Sequence, residues 1–183
     1  MRTRLGRLWV LATLAIPLGA ISLVATPANA YAEGTTCAAN SGSIKLSPGL
    51  QESTQVQNIT IKGKLTGCTG GTATSATYLA HLKTTSAVSC AALTSGGEVA
   101  TGSIVIKWSP KGQGNSSGTF SMPLTAVAGV SLGGTLESGP FATGTISGSV
   151  SQTFAGTCGG GKGKKKAKKV KDGAFTGSAL ELS

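Results

Sequence analysis

Few residues in this chain carry reactive chemistry, and their spacing is more telling than their number. His81 is the single histidine of the sequence, and so the one side chain whose ordinary pKa puts a charge change near neutral pH. It alternates with Leu79 and Lys83, opposite Tyr78, Ala80 and Leu82, the pattern of a surface or half-buried strand position. The acids Glu33, Glu52, Glu98, Glu137, Asp172 and Glu181 are scattered, so any carboxylate pair for acid–base work would have to be assembled by the fold. Gly129-Val130-Ser131-Leu132-Gly133 matches the nucleophile-elbow pattern. That elbow needs a helix after the turn and a histidine downstream, whereas here no helical pattern follows and His81 lies upstream. Gly156 to Gly161 followed by Lys162 imitates the start of a phosphate-binding loop, but Gly163 stands where the magnesium-binding Ser or Thr belongs. No catalytic residue is assigned on these grounds, and no cofactor is implied.

The feature that departs from background is charge. Gly159–Gly173, "GGGKGKKKAKKVKDG", holds seven lysines: Lys162, Lys164, Lys165, Lys166, Lys168, Lys169 and Lys171. With Asp172 the segment sums to +6, while the remainder of the chain after residue 30 sums to +1. Seven like charges disfavour a compact local structure. The tract is either a solvated loop that aids solubility or a contact for a polyanion, such as an anionic wall polymer or a lipid surface. Lysine is a point charge without arginine's fork, and no aromatic residue lies in the tract, so sequence-specific nucleic-acid binding is not expected.

Four cysteines, Cys37, Cys68, Cys90 and Cys158, set the redox context. None are spaced for a zinc knuckle, and with one histidine no metal site is expected. An even number implies two disulfides in an exported chain, with three pairings open. The N-terminus agrees with export. Arg2, Arg4 and Arg7 precede an apolar run from Leu8 to about Ala25, and Ala28-Asn29-Ala30 forms a small-residue cleavage site. This order is that of a signal peptide over 1–30, cut after Ala30. No later stretch is long and apolar enough to span a membrane as a helix.

These residues must be held by strands. The chain after residue 30 is rich in Gly, Ser, Thr, Ala and Val, and short alternating segments recur between glycine-bearing breaks, the signature of an all-β domain. In "QNITIKGKLTG", Ile59, Ile61 and Leu65 share one face, with Lys62 and Lys64 on the other. Ile104, Ile106 and Trp108 share a face, as do Phe120, Met122 and Leu124, and Val130, Leu132 and Leu136. About eight strands are predicted, near 41–47, 55–66, 76–85, 99–109, 117–126, 130–137, 143–155 and 174–182, in one antiparallel β-sandwich or barrel-like domain over 31–183. Pro123 marks an edge or a bulge. Three Gly-x-Phe-small segments, around Phe120, Phe141 and Phe175, read as strand entries whose Phe drops into the core. The lysine tract, 159–173, becomes the loop of the last hairpin, with Asp172-Gly173 as its exit turn. With the first hairpin loop between residues near 46 and 56, antiparallel pairing places Cys37 near Cys68, and of the three pairings this strand reading prefers Cys37–Cys68 with Cys90–Cys158.

"CAANSGSIKLSPGL", "ITIKGKLTGCTGG", "GSIVIKWSPKGQGNSSGTF", "SGPFATGTISGSVSQTFAGTC" and "GKKKAKKVKDGAFTGSA" together resemble uncharacterised secreted proteins of actinobacteria. The resemblance implies an exported, disulfide-bearing β-domain and brings no activity, ligand or site residues with it. The leading expectation is therefore a non-enzymatic secreted or cell-wall-associated protein whose lysine loop contacts anionic polymers or membrane. A structural or adhesion module that binds protein through a sheet face or edge is the alternative. A hydrolase with a site assembled around His81 is the third.

Overall fold

A computed structural model describes residues 34–156, Cys158 and residues 168–183. Eight strands follow one another: β1 (Thr35–Leu50), β2 (Asn58–Thr69), β3 (Ser75–Thr84), β4 (Glu98–Ser109), β5 (Asn115–Leu124), β6 (Val130–Ser138), β7 (Thr145–Ala155) and β8 (Val170–Leu182). Each pairs antiparallel with the next, and β8 returns to pair with β1. The sheet is one closed up-and-down barrel rather than two stacked layers. Closure rests on β1, which is long enough to hold β2 along one side and β8 along the other, from Thr35↔Leu182 to Leu50↔Val170.

Alternation explains the wall. Ile59, Ile61, Leu65, Ile104, Ile106, Trp108, Phe120, Met122, Leu124, Leu132 and Leu136 all point inward and are buried, each burial stabilising by roughly 1.5–3 kcal/mol. Eight strands enclose an interior just wide enough for side chains to fill, and the near-zero exposure of these residues leaves no ligand-sized lumen among the described residues. The outward positions carry Lys, Ser and Thr, and hydroxyl pairs such as Thr119–Thr135 and Ser149–Ser178 join neighbouring strands. This is the inverse of a membrane-spanning barrel, which turns its apolar band outward.

Glycine makes the middle of the barrel. Tyr78, Phe120 and Phe175 meet there, with Tyr78 6.3 Å from Phe120 and 6.4 Å from Phe175 between ring centroids. Two of the rings lie against a glycine of a neighbouring strand, Tyr78 beside Gly63 and Phe175 beside Gly42, and Phe120 faces Gly102 and Gly134 in register. A Cβ on Gly63 would stand 2.6 Å from Tyr78 Oη, and one on Gly42 would stand 2.6 Å from Phe175 Cζ. Large rings fit this small lumen because the strands opposite them have no side chain there. Tyr78 Oη donates to Asn40 Oδ1 at 2.9 Å, so the one polar atom of the ring has a partner.

The two ends are closed differently. At the end where β1 and β8 finish and start, a short 3-10 helix, Cys90–Leu93, lays Leu93 over the core. Gln57, fully buried, accepts from Gly49 N–H at 2.9 Å. The Cys90–Cys158 disulfide ties this cap to the chain leaving β7. At the opposite end, Cys37–Cys68 clips β1 to β2 at directly facing positions, and Trp108 packs edge-on to Phe141 at 4.8 Å. Both disulfides are the expected ones.

Three expectations change and one, for Pro123, holds. Asp172-Gly173 is no exit turn: β8 begins at Val170, four residues before the predicted start, and Asp172 faces Lys45 and Ala155 in register. Val170, buried opposite Leu50, anchors that early start. Phe120 and Phe175 lie inside strands rather than at their entries, and Phe141 sits half-buried in the β6–β7 connection. Pro123 is the expected edge position: it pairs with Val99 of β4, while β6 pairs with β5 no further than Ser121↔Gly133, so it meets a strand on one side only. Finally, closure removes the free edge strand that an edge-binding adhesion module would use.

Candidate binding surface

The barrel wall divides its charge. Strands β1 to β4 carry Lys45, Lys62, Lys64, Lys83 and Lys107 against one acid, Glu98. Strands β5 to β8 carry Lys171 against Glu137, Asp172 and Glu181. Glu98 keeps its negative charge and offsets one of these lysines. It is the first residue of β4 and accepts a hydrogen bond from Thr85 Oγ1, which holds its carboxyl below the usual carboxylate range, with Ser86 adding to the effect. Outside the lysine tract the sum is nearly neutral, as the sequence says, but the two halves of the wall have opposite sign.

Register shows how the lysines gather. Lys64 faces Ser41 on β1 and Thr77 on β3, and Thr77 in turn faces Lys107 on β4. One residue pair along, Lys62 faces Ser43 and Leu79, and Leu79 faces Val105. None of the three lysines has an acid in register. Between them lies a groove of about 640 Å³ on the outer face, lined by Lys62, Lys64, Lys107, Leu79 and Val105 and floored by the backbone at Gly42 and Gly63. Leu79 and Val105 are each 39% exposed. The groove follows from the core: where Gly42 and Gly63 present no inward side chain, the wall can dip toward the Phe175 and Tyr78 rings.

The lysine tract lies in the β7–β8 connection, at the end capped by the 3-10 helix. Its described residues, Lys168, Lys169 and Lys171, are exposed. Lys171 lies on β8, which pairs with β1 and so borders the basic side, and its neighbour Asp172 faces Lys45 in register. Lys162, Lys164, Lys165 and Lys166 lie outside the described residues, as do residues 1–30 with the predicted cleavage point after Ala30.

His81 is exposed on β3, with Thr60 and Ser103 as its cross-strand neighbours. Among the described residues it makes no side-chain hydrogen bond, no acid faces it, and it does not line the groove. Ser131 of the elbow-like pentapeptide is an exposed residue of β6, preceded by a turn at Gly129 with φ 69° and followed by strand rather than helix. Among the described residues no three His, Cys, Asp or Glu side chains cluster to hold a metal ion. Burial pushes the Tyr78 phenol well above its ordinary value, against the lowering effect of its hydrogen bond to Asn40. Tyr78 is a structural residue with its hydroxyl already engaged.

Sequence reasoning missed the gathered lysines. Lys62, Lys64 and Lys107 read as outward positions, but nothing local says that Lys107 lies two strands from Lys64 on the same row. No protein-family model, no curated protein and no solved structure matches the chain.

Proposed function

We propose that the protein is exported and acts outside the cytoplasm as a non-catalytic polyanion-binding protein. Its contact surface is the lysine tract Lys162–Lys171 together with the basic side of β1 to β4, and its ligand is an anionic wall polymer or lipid surface. The observation that carries this reading is the segregation of charge: lysines collect on one half of a closed wall, and β8, which carries the last lysine of the tract, pairs with β1 at the border of that half. Two disulfides and the signal-like leader support export. Among the described residues no helix is long and apolar enough to cross a membrane.

Each lysine near an anionic surface contributes roughly 1 kcal/mol, and the sum falls as salt shortens the Debye length. Retention of the chain lacking residues 1–30, which contains every strand of the barrel, is measured on isolated cell walls and on anionic vesicles from low to high salt. Serine at the seven tract lysines is expected to remove most of the retention at low salt. Serine at Lys45, Lys62 and Lys83 is expected to remove a smaller share. Retention that survives both sets of changes refutes the proposal.

A further inference from the structure

We propose that the outer groove between β1 and β4 is a binding site for a single-chain anionic amphiphile: one acyl chain with a carboxylate at its end. It draws on three lysines of the basic side in the reading above, and the tract has no part in it. The groove's size, about 640 Å³, falls within the range of roughly 300–1,000 Å³ usual for small-molecule sites. Its floor is apolar, because Leu79 and Val105 meet across β3 and β4 and the glycine backbone at Gly42 and Gly63 adds no polar side chain. The backbone N–H and C=O groups under it are engaged in the ladders between β1, β2, β3 and β4. Ser41 and Thr77 also line the groove, but these two hydroxyls are too few to favour a ligand with many hydroxyls.

The walls are lysines, and a lysine has two parts. Its methylene stem covers apolar surface while the ammonium stays in water at the tip. Lys62 and Lys64 stand two residues apart on β2, about 7 Å, and Lys107 stands two strands from Lys64, about 10 Å. The result is an apolar trough with a cationic rim. An acyl chain along the trough covers Leu79 and Val105, and its carboxylate reaches an ammonium group without being buried.

Shape decides between a free amphiphile and a bilayer. A protein that docks on a membrane inserts apolar side chains that stand out from its surface. Leu79 and Val105 line a concavity beside the longer side chains of Lys62, Lys64 and Lys107, a shape that suits receiving a chain more than entering a bilayer. A peptide added as a strand is excluded because β2 and β3 already have neighbours on both sides.

The test uses dodecanoic acid carrying a terminal dansyl group, kept below its micelle concentration, with the corresponding alcohol as the uncharged probe. Saturable one-to-one binding of the acid is expected, with the alcohol at least five-fold weaker. Leu79→Thr with Val105→Thr keeps good strand formers on an outer face, so the barrel is expected to fold; Trp108 fluorescence checks this. That pair of changes should weaken the acid at least ten-fold. Lys62→Gln, Lys64→Gln and Lys107→Gln together should weaken the acid about ten-fold and leave the alcohol within two-fold. Serine at the tract lysines should leave both probes within two-fold even where retention on walls is lost, so failure of the polyanion reading and failure of this one are seen separately. The proposal is overturned by non-saturable binding, by equal affinity in the Leu79→Thr, Val105→Thr protein, by equal binding of acid and alcohol, or by vesicle binding that depends on Leu79 and Val105 while the monomeric probe does not bind.

Discussion

Replacing Gly63 by alanine tests the account of the core most directly. The added Cβ would stand 2.6 Å from Tyr78 Oη and closer to two ring carbons, a separation real carbon atoms do not adopt. The wall cannot give easily, because Gly63 is paired on both sides, to Gly42 and to Tyr78. The ring must therefore shift, and neighbouring Phe120 and Phe175 restrict its route. Overpacking of this kind costs about 1–3 kcal/mol. Moving the ring also breaks the bond from Tyr78 Oη to Asn40 Oδ1. Asn40 is 2% exposed and its Nδ2 already has no partner among the described residues, so a second unpaired atom adds about 1–3 kcal/mol. The expected loss is about 3 kcal/mol, a large share of the roughly 5–15 kcal/mol by which a domain is stable. Urea unfolding of the oxidised chain lacking residues 1–30 measures it. Trp108 is the one tryptophan left in that chain and is buried, so its fluorescence reports the transition. Tyr78→Leu costs stability alone but should cost about 1–2 kcal/mol less in the Gly63→Ala background, since contacting residues couple by about 0.5–3 kcal/mol. A Gly63→Ala loss below 1 kcal/mol, or strict additivity in the cycle, would refute the idea that the glycine is there to seat the ring.

Two further outcomes follow from the same geometry. Changing Cys90 and Cys158 together to serine opens a link spanning 68 residues, and the loop-closure relation puts the loss near 4 kcal/mol; an unchanged urea midpoint in non-reducing buffer would contradict this. Tyr78 has an ordinary value of 10.0 and is raised in the folded chain by burial, so its contribution to stability is fully present below about pH 10. Above that pH the unfolded chain releases the proton first, and stability falls as pH climbs toward the raised folded value. Urea midpoints across alkaline pH should decline more steeply in the parent than in Tyr78→Phe, and parallel curves would exclude Tyr78 as the source.

Period-two alternation is written into the chain itself, because each strand sorts its own side chains to two faces. Ile59, Ile61 and Leu65 could be assigned inward, and His81 outward, without knowing any neighbour. The hairpins were legible for the same reason, and with them the facing of Cys37 and Cys68. The start of β8 was not, because Lys168 to Lys171 reads as solvated charge until Val170 is seen opposite Leu50.

What the sequence determined, then, was everything that depends on neighbours along the chain: an all-β domain, its strand count, its inward residues and its lysine tract. Tertiary structure alone decided closure, the seating of two rings on glycines from other strands, and the meeting of Lys62, Lys64 and Lys107 around Leu79 and Val105. These depend on register between strands far apart in the chain, as far as Thr35 and Leu182, and register is set by how the whole wall packs around its small interior. No single segment contains that information.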